Sequence, residues 1–239
     1  TPQNCNVYIF KSFFHDISSS SNGGAVYCYS NVHKLLVEQT SLISCKTSAS
    51  DGGGIYFKNK SNGDCVMSKI CGFNCTCYTY GMCIRVLIKD DETHRNHFNN
   101  SAITNSKALL SGSSPWYSLD ITYGDILCPS INISHSVSYG IPAMACVISM
   151  STQTNMRIII SYSSIVNNTA YGSGCIWFLN LNSTLLIDTC NIMNNTQSAY
   201  QPGTIRSNTS LLIKDSCIIG NSPGKTVFRQ ENPSCEIIV

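Results

Sequence analysis

The sequence is poor in charge and has no long apolar run. Only 12% of its 239 residues are charged, with a formal net charge of +2, whereas charged residues make up about a quarter of an average globular protein. This balance provides no basic surface for nucleic acid or an acidic membrane, so we expect no nucleic-acid partner. No run of 18 apolar residues is present, so we expect no membrane span in this chain.

Common catalytic and helical patterns are also missing. The chain has no Gly-x-Ser-x-Gly elbow, no phosphate-binding loop and no dinucleotide fingerprint. No stretch of ten residues shows an apolar stripe of helical period. We therefore expect no cofactor and no helical domain. Because the chain starts at Thr1 without a signal peptide, we expect either a mature chain or a piece of a longer one.

What the sequence does contain is repetition. One six-residue unit occurs three times in steps of 27 residues, at Ser163–Asn168, Cys190–Asn195 and Cys217–Ser222. Similar apolar runs precede the second and third copies, at Leu185–Ile187 and Leu211–Ile213. A fixed period between about 20 and 50 residues is typical of a solenoid, in which each repeat buries its apolar face against its neighbours.

The same unit can be followed through the whole chain by its central apolar residue. We place that residue eight times, at Phe13, Leu42, Phe73, Ile103, Ile133, Ile165, Ile192 and Ile219. Each repeat holds three short β-branched or aromatic runs separated by Gly, Asn, Ser and Asp, which favours strands over helices. The sequence therefore predicts an all-β, right-handed parallel β-helix of about seven to eight coils. We expect one domain over 1–239, with a loop insertion around 88–118.

Three motifs resemble the repeats of a known class of proteins. These are Gly-Gly-Ala-Val-Tyr at 23–27, Gly-Gly-Gly-Ile-Tyr at 52–56, and Cys-x-Ile-x-Asn-Asn at 190–195. They look like the tandem tags of right-handed β-helix surface proteins, which include the chlamydial polymorphic membrane proteins and their trichomonad counterparts, within the pectate-lyase-like superfamily. The resemblance implies an extracellular adhesive or coat protein without an enzymatic centre.

Cysteines and glycosylation sequons both indicate the secretory pathway. The chain has fourteen cysteines, which suits an oxidising compartment. Equivalent repeat positions predict disulfides or a reduced apolar ladder for two pairs, Cys146 with Cys175 and Cys190 with Cys217. A denser group favours disulfides over a zinc site, and it consists of Cys65, Cys71, Cys75, Cys77 and Cys83.

Eight Asn-x-Ser/Thr sequons are present. We expect N-linked glycans at turns or strand edges, namely at Asn59, Asn99, Asn132, Asn182 and Asn208. Asn167 and Asn194 recur in register with Asn221, so there we favour an inward amide ladder over glycans. Asn74 lies beside the clustered cysteines and is left open.

Few residues suggest catalysis or ligand binding. Asp188 and Asp215 lie 27 residues apart, and acids stacked on successive coils are one way to build a polysaccharide hydrolase or lyase; two solvated turn residues explain them equally simply. The loop at 90–97 has acids and histidines but is best explained as solvated. A carbohydrate-binding platform would use the aromatic residues Tyr56, Trp116, Tyr117 and Trp177.

The leading hypothesis is a secreted or cell-surface glycoprotein with a structural or adhesive role. Both ends read as uncapped strands, so we expect either further sequence or head-to-tail self-association into a filament. Host or matrix carbohydrates or proteins are the other expected partners. The alternatives are an extracellular polysaccharide lyase or hydrolase and a carbohydrate-binding module.

Overall fold

A computed structural model gives the fold of the chain as a parallel β-solenoid of about seven turns. It describes residues 5–107, 117–138, 156–171, 174–178, 184–197, 203–222, 227–230 and 232–239. All regular structure in these ranges is β-strand, and they contain no helix that could cross a membrane. The predicted all-β, parallel solenoid is confirmed.

One side of the solenoid is a nine-stranded parallel sheet. Its strands each contribute one rung, and residues alternate between the interior and the outer face. In order along the sheet they are β1 (Cys5–Phe10), β5 (Val32–Glu38), β9 (Asp64–Ser68), β12 (Arg95–Asn99), β15 (Asp125–Pro129), β18 (Arg157–Ser161), β22 (Thr184–Asp188), β26 (Leu211–Lys214) and β29 (Ile237–Ile238).

The second side is an eight-stranded parallel sheet of three-residue strands. Their middle residue points inward. In order they are β2 (Phe13–His15), β6 (Ser41–Ile43), β10 (Cys71–Phe73), β13 (Ala102–Thr104), β16 (Asn132–Ser134), β19 (Ser164–Val166), β23 (Asn191–Met193) and β27 (Cys217–Ile219).

The third side is made of two shorter sheets, with small strands between the second and third sides. A four-stranded sheet contains β4 (Val26–Cys28), β8 (Ile55–Lys58), β11 (Ile84–Leu87) and β14 (Leu119–Thr122). A three-stranded sheet contains β21 (Ile176–Phe178), β25 (Ile205–Ser207) and β28 (Phe228–Gln230). The small strands are β3 (Ser18–Ser19), β7 (Lys46–Thr47), β17 (Val137–Ser138), β20 (Thr169–Ala170) and β24 (Thr196–Gln197).

Two left-handed bends in every turn fix where the eight-stranded sheet begins and ends. The bends lie five residues apart in all eight turns, as in Lys11 with Asp16 and Asn100 with Asn105. Each bend residue has a positive φ, for which Asn, Asp and Gly are the least strained choices. The N–H of a bend residue donates to the next turn, for example from Asn167 to the Met193 carbonyl at 3.1 Å. The bends therefore hold successive turns in register.

The observed register differs by one residue from the predicted one at three turns. The inward residue is Phe14, Gly72 and Ile218 where the sequence predicted Phe13, Phe73 and Ile219. Those three predicted residues are 69%, 40% and 62% exposed, so they face outward. The true steps between inward residues are 28, 30, 31, 30, 32, 27 and 26 residues.

The interior is a continuous column of apolar side chains. Leu42, Ile103, Ile133, Ile165 and Ile192 are each fully buried at the inward position of the eight-stranded sheet. Burying such a side chain contributes about 1.5–3 kcal/mol relative to leaving it in water. The turns are thus held together by stacked aliphatic residues.

The predicted loop insertion over 88–118 is much narrower in the structure. Strands β12 and β13 lie within it and pair with both neighbouring turns. Only the segment 89–94 departs from the repeat, and it forms a turn in which the His94 N–H donates to the Asp91 carbonyl at 3.1 Å. Residues 108–116 of the predicted insertion lie outside the described part.

Candidate functional site

The outer face of the nine-stranded sheet carries one row of mostly apolar side chains along its length. The row is set by register, because the residue two positions into each five-residue rung points away from the core. We call it the outer row, and it consists of Tyr8, Leu36, Val66, His97, Leu127, Ile159, Leu186, Leu212 and Ile238. Continuous apolar surface of this kind is typical of interaction sites.

The outer row is partly open to solvent. Tyr8, Leu36 and Ile238 are 57%, 38% and 53% exposed, and the members between them are half-buried. At one end the row widens, because the Tyr8 and Phe10 rings lie parallel with their centroids 5.7 Å apart. No described residue packs over this face. The row therefore presents a long, narrow apolar surface.

The central member of the outer row is a histidine that stays neutral. Burial lowers the pKa of His97, and the neighbouring Asp125 carboxylate opposes this effect only in part. The His97 Nε2 atom lies 3.5 Å from Asp125 Oδ2, but outside hydrogen-bond geometry. The imidazole is thus uncharged at pH 7, and the apolar character of the row is not interrupted by a charge.

A row of charged residues runs alongside, two positions before each outer-row residue in five consecutive turns. We call it the charged row, and it consists of Lys34, Asp64, Arg95, Asp125 and Arg157. Within the chain, Arg157 binds Asp125 through two hydrogen bonds of 2.9 and 2.8 Å. Asp64 accepts from the Arg95 N–H at 3.0 Å and contacts His94 Nδ1 at 3.2 Å, whereas Lys34 Nζ is 3.9 Å away.

Between these two rows lies a shallow groove of about 480 Å³. Its floor is formed by Leu36 and Val66, and Thr93 forms a wall because the segment 89–94 stands out from the repeat. Lys34 and Arg95 carry positive charge at the rim. This volume lies within the range of ligand sites, which is about 300–1,000 Å³. The groove is the most concave part of the described outer face of this sheet.

A second charged cluster lies on the four-stranded sheet and has no predicted counterpart. Arg85 contacts Asp51 at 2.6 Å and Asp120 at 3.3 Å, and its guanidinium lies 4.1 Å from the centre of the Tyr80 ring. Burial raises the pKa of Asp120 to about 6, although the Arg85 charge and a hydrogen bond from Thr122 act in the opposite direction. The Asp120 side chain is only 2% exposed, so this network joins turns rather than presenting a site.

The predicted aromatic platform is wrong. Tyr56 and Tyr117 are 4% and 0% exposed, and the Arg206 guanidinium covers Trp177 at 4.8 Å from the ring centre. Trp116 lies outside the described residues. The large exposed aromatics of the structure lie elsewhere, at Tyr8, Phe10, Phe13, Tyr27, Tyr29, Phe73, Tyr78, Tyr162 and Tyr171.

The predicted acid pair does not stack. Asp188 pairs with Lys214 in the register of β22 and β26, and Asp215 is the exposed bend residue that follows, with φ of 46°. The error has the same one-residue origin as Ile219. The described residues contain no group of three or more His, Cys, Asp or Glu placed to hold a metal ion.

All thirteen described cysteines are free in the structure. Cys217 is exposed and pairs with Asn191, while Cys190 is buried one position away, so these two do not occupy stacked positions. Cys175 is buried, with its pKa raised to about 12 by burial, and its predicted partner Cys146 lies outside the described residues. Disulfide formation stays a prediction.

The dense cysteine group is divided among different environments. Cys71 is exposed, and Cys65 and Cys77 are buried at separate places, with burial raising the pKa of both thiols. Cys75 stacks on Cys45, and each thiol reaches a carbonyl of the preceding turn, at 3.3 Å for Leu42 and 3.7 Å for Phe14.

The amide ladder exists, but it is built by the next residue along the chain. Asn168, Asn195 and Asn221 point inward, and Asn195 Nδ2 donates to Asn221 Oδ1 at 3.0 Å. Asn167 and Asn194 are exposed bend residues, so the premise of an inward amide there is wrong. Their side chains point to solvent and leave both sequons accessible.

The remaining sequons differ in accessibility. Asn132 is exposed on the eight-stranded sheet, Asn99, Asn74 and Asn208 are half-buried, and Asn182 lies outside the described residues. Asn59 is 2% exposed, and its Nδ2 donates to the Val32 carbonyl at 2.9 Å. A glycan at Asn59 would break this contact, so the expectation for that sequon does not fit the folded chain.

Comparisons with protein-family models, with curated proteins and with solved structures find no match for this chain. The parallel β-solenoid architecture therefore stands on the structure, and the finer assignment to a surface-protein family is a matter of proposal.

Proposed function

We propose that this chain is a secreted or cell-surface β-solenoid with a structural or adhesive role, and that the outer face of its nine-stranded sheet is the contact surface. The observation that carries the proposal is the uninterrupted outer row beside the charged row. Apolar surface rimmed by polar and charged residues is the usual composition of a protein-binding surface. The cysteine content, the accessible sequons and the resemblance to β-helix surface proteins support the extracellular location.

The proposal is tested by adhesion of the purified chain. Beads coated with the chain are expected to bind extracellular-matrix proteins or whole cells, and the double variant Leu36→Asp with Leu127→Asp is expected to lose that binding. The matched control is Phe73→Asp with Ile219→Asp, which places the same two charges on the outer face of the eight-stranded sheet. Retention of binding by the first variant, or no binding by the native chain, contradicts the proposal.

The alternative functions have weaker support. A polysaccharide lyase or hydrolase would need acids other than Asp188 and Asp215, because these two do not stack. A carbohydrate-binding module is favoured only by the exposed Tyr27 and Tyr29, whose rings lie nearly parallel with centroids 6.2 Å apart. A glycan array probed with native chain and with Tyr27→Ala distinguishes this alternative. Head-to-tail association stays a prediction.

A further inference from the structure

The signs of the charged row alternate along the solenoid axis. Lys34, Asp64, Arg95, Asp125 and Arg157 occur in five consecutive turns as positive, negative, positive, negative and positive. All five lie at one lateral position, because each stands two residues before a member of the outer row. Pairing within the chain is uneven, since Asp125 binds Arg157 through two hydrogen bonds while no ion pair to the Arg95 guanidinium forms among the described residues.

An alternating row is complementary to itself when its direction is reversed. A two-fold axis parallel to the strands would bring two such sheets face to face, keep each lateral position opposite the same position, and reverse the order of turns. With that axis between β9 and β12, Asp64 faces Arg95 of the second copy, and Lys34 faces Asp125 of the second copy. Arg157 faces the neutral Asn6. The charged rows then form four ion pairs across the interface.

The outer row is compatible with the same arrangement. Leu36 faces Leu127, Tyr8 faces Ile159, and Val66 faces the neutral His97 of the second copy, so apolar groups cover one another. On the other flank Glu38 faces Pro129, and no like charges meet. Six rungs about 4.8 Å apart and five residues of about 3.3 Å give a footprint of about 500 Å² per copy. That size is near the lower limit for a specific interface, so a weak dimer is expected.

We propose that two copies of this chain pair through the outer faces of their nine-stranded sheets, with antiparallel solenoid axes and with Asp64 of each opposite Arg95 of the other. The proposal rests on the proposed function, since it names the partner of the same contact surface. Adhesion through this face is then homophilic, between identical chains on apposed surfaces.

Sedimentation velocity of the purified full chain over a micromolar concentration range tests the pairing. Arg95→Asp places like charges opposite Asp64 and is expected to weaken dimerisation at least about tenfold. The double variant Asp64→Arg with Arg95→Asp exchanges the two charges and is expected to restore most of it. Lys46→Asp is the matched control, because this exposed residue lies on a different side of the solenoid. Circular dichroism verifies that each variant keeps the β fold.

The outcomes separate the two proposals. A native chain that is monomeric throughout, an effect of Arg95→Asp no larger than that of Lys46→Asp, or a double variant that stays monomeric overturns the antiparallel pairing. If the chain is monomeric yet still binds matrix proteins or cells through the outer row, only the pairing fails. If it dimerises as described but beads coated with it bind neither one another nor cells or matrix, only the adhesive function fails.

Discussion

The inner asparagine ladder should be one of the most sensitive parts of the solenoid. Asn195 is fully buried, and its side chain makes four hydrogen bonds to other turns. Its Oδ1 accepts from the Asn168 N–H at 3.0 Å and from Asn168 Nδ2 at 3.1 Å. Its Nδ2 donates to the Ile165 carbonyl at 2.9 Å and to Asn221 Oδ1 at 3.0 Å. Asn195→Ala removes all four.

The expected cost follows from the groups that lose a partner. The Asn168 N–H becomes a buried donor without an acceptor, and the Ile165 carbonyl loses the amide donor, each at about 1–3 kcal/mol. We therefore expect Asn195→Ala to lower the free energy of unfolding by about 3–4 kcal/mol. Asn194→Gly is the matched control, because the neighbouring bend residue is exposed and Gly tolerates its φ of 55°. Its effect is expected to stay within about 0.5 kcal/mol.

Urea unfolding followed by circular dichroism measures the free-energy difference, and hydrogen exchange measures the protection of the Asn168 amide. Loss of that protection locates the effect in the ladder rather than in the whole fold. A cost of Asn195→Ala no larger than that of Asn194→Gly, with the Asn168 amide still protected, would refute the reasoning.

The same ladder also predicts a gain at its open end. Ser136 is fully buried and stands one turn before Asn168, where its hydroxyl makes only a 3.4 Å contact with the Ser134 carbonyl. In the next turn, Ser106 Oγ is buried without a hydrogen-bond partner within the described residues. Ser136→Asn is expected to extend the ladder to Ser106 and to raise the free energy of unfolding by about 1 kcal/mol.

Three further predictions follow from other buried groups. Because burial raises the folded pKa of Asp120 from 3.8 to about 6, the wild type should lose about 3 kcal/mol as the pH rises from 4 to 7.5; urea titrations across this range should show Asp120→Asn without that loss, and parallel curves would contradict it. Gly72→Ala places a Cβ against Cys83 Sγ and should cost about 1–3 kcal/mol in thermal unfolding, less in a Cys83→Ala background; equal costs in both backgrounds would exclude the clash. After secretion from a eukaryotic host, peptide mapping should find a glycan on the exposed Asn132 and none on Asn59, and the reverse pattern would contradict the burial argument.

The period of the chain predicts the architecture because strand runs recur at nearly constant spacing. The exact register is harder, since hydrophobicity does not distinguish Phe13 from Phe14 or Ile218 from Ile219. The bends do, because Gly220 rather than Asn221 adopts the positive φ that ends β27. A search for turn-forming residues five positions apart would have placed these turns correctly.

The one-residue error has consequences for the predicted sites. It placed Asp215 opposite Asp188 and Cys217 opposite Cys190, and neither pair is stacked. The Arg85 cluster was missed for a different reason, because its members come from three turns and no local motif connects them. The charged row has a sequence signal only after the register is known.

The interior and the bends define the register, which leaves the outer faces free to serve function. The five-residue spacing of the two bends is constant in all turns, while the stretch that carries the third side varies in length. Inward positions tolerate only groups that fill the column or complete a ladder, whereas the outer row can exchange one side chain for another without altering a backbone hydrogen bond. Substitutions such as Leu36→Asp or Arg95→Asp should therefore change binding while leaving the solenoid folded. This division between a register-setting interior and a variable exterior is why the contact surface is sought on the outer row.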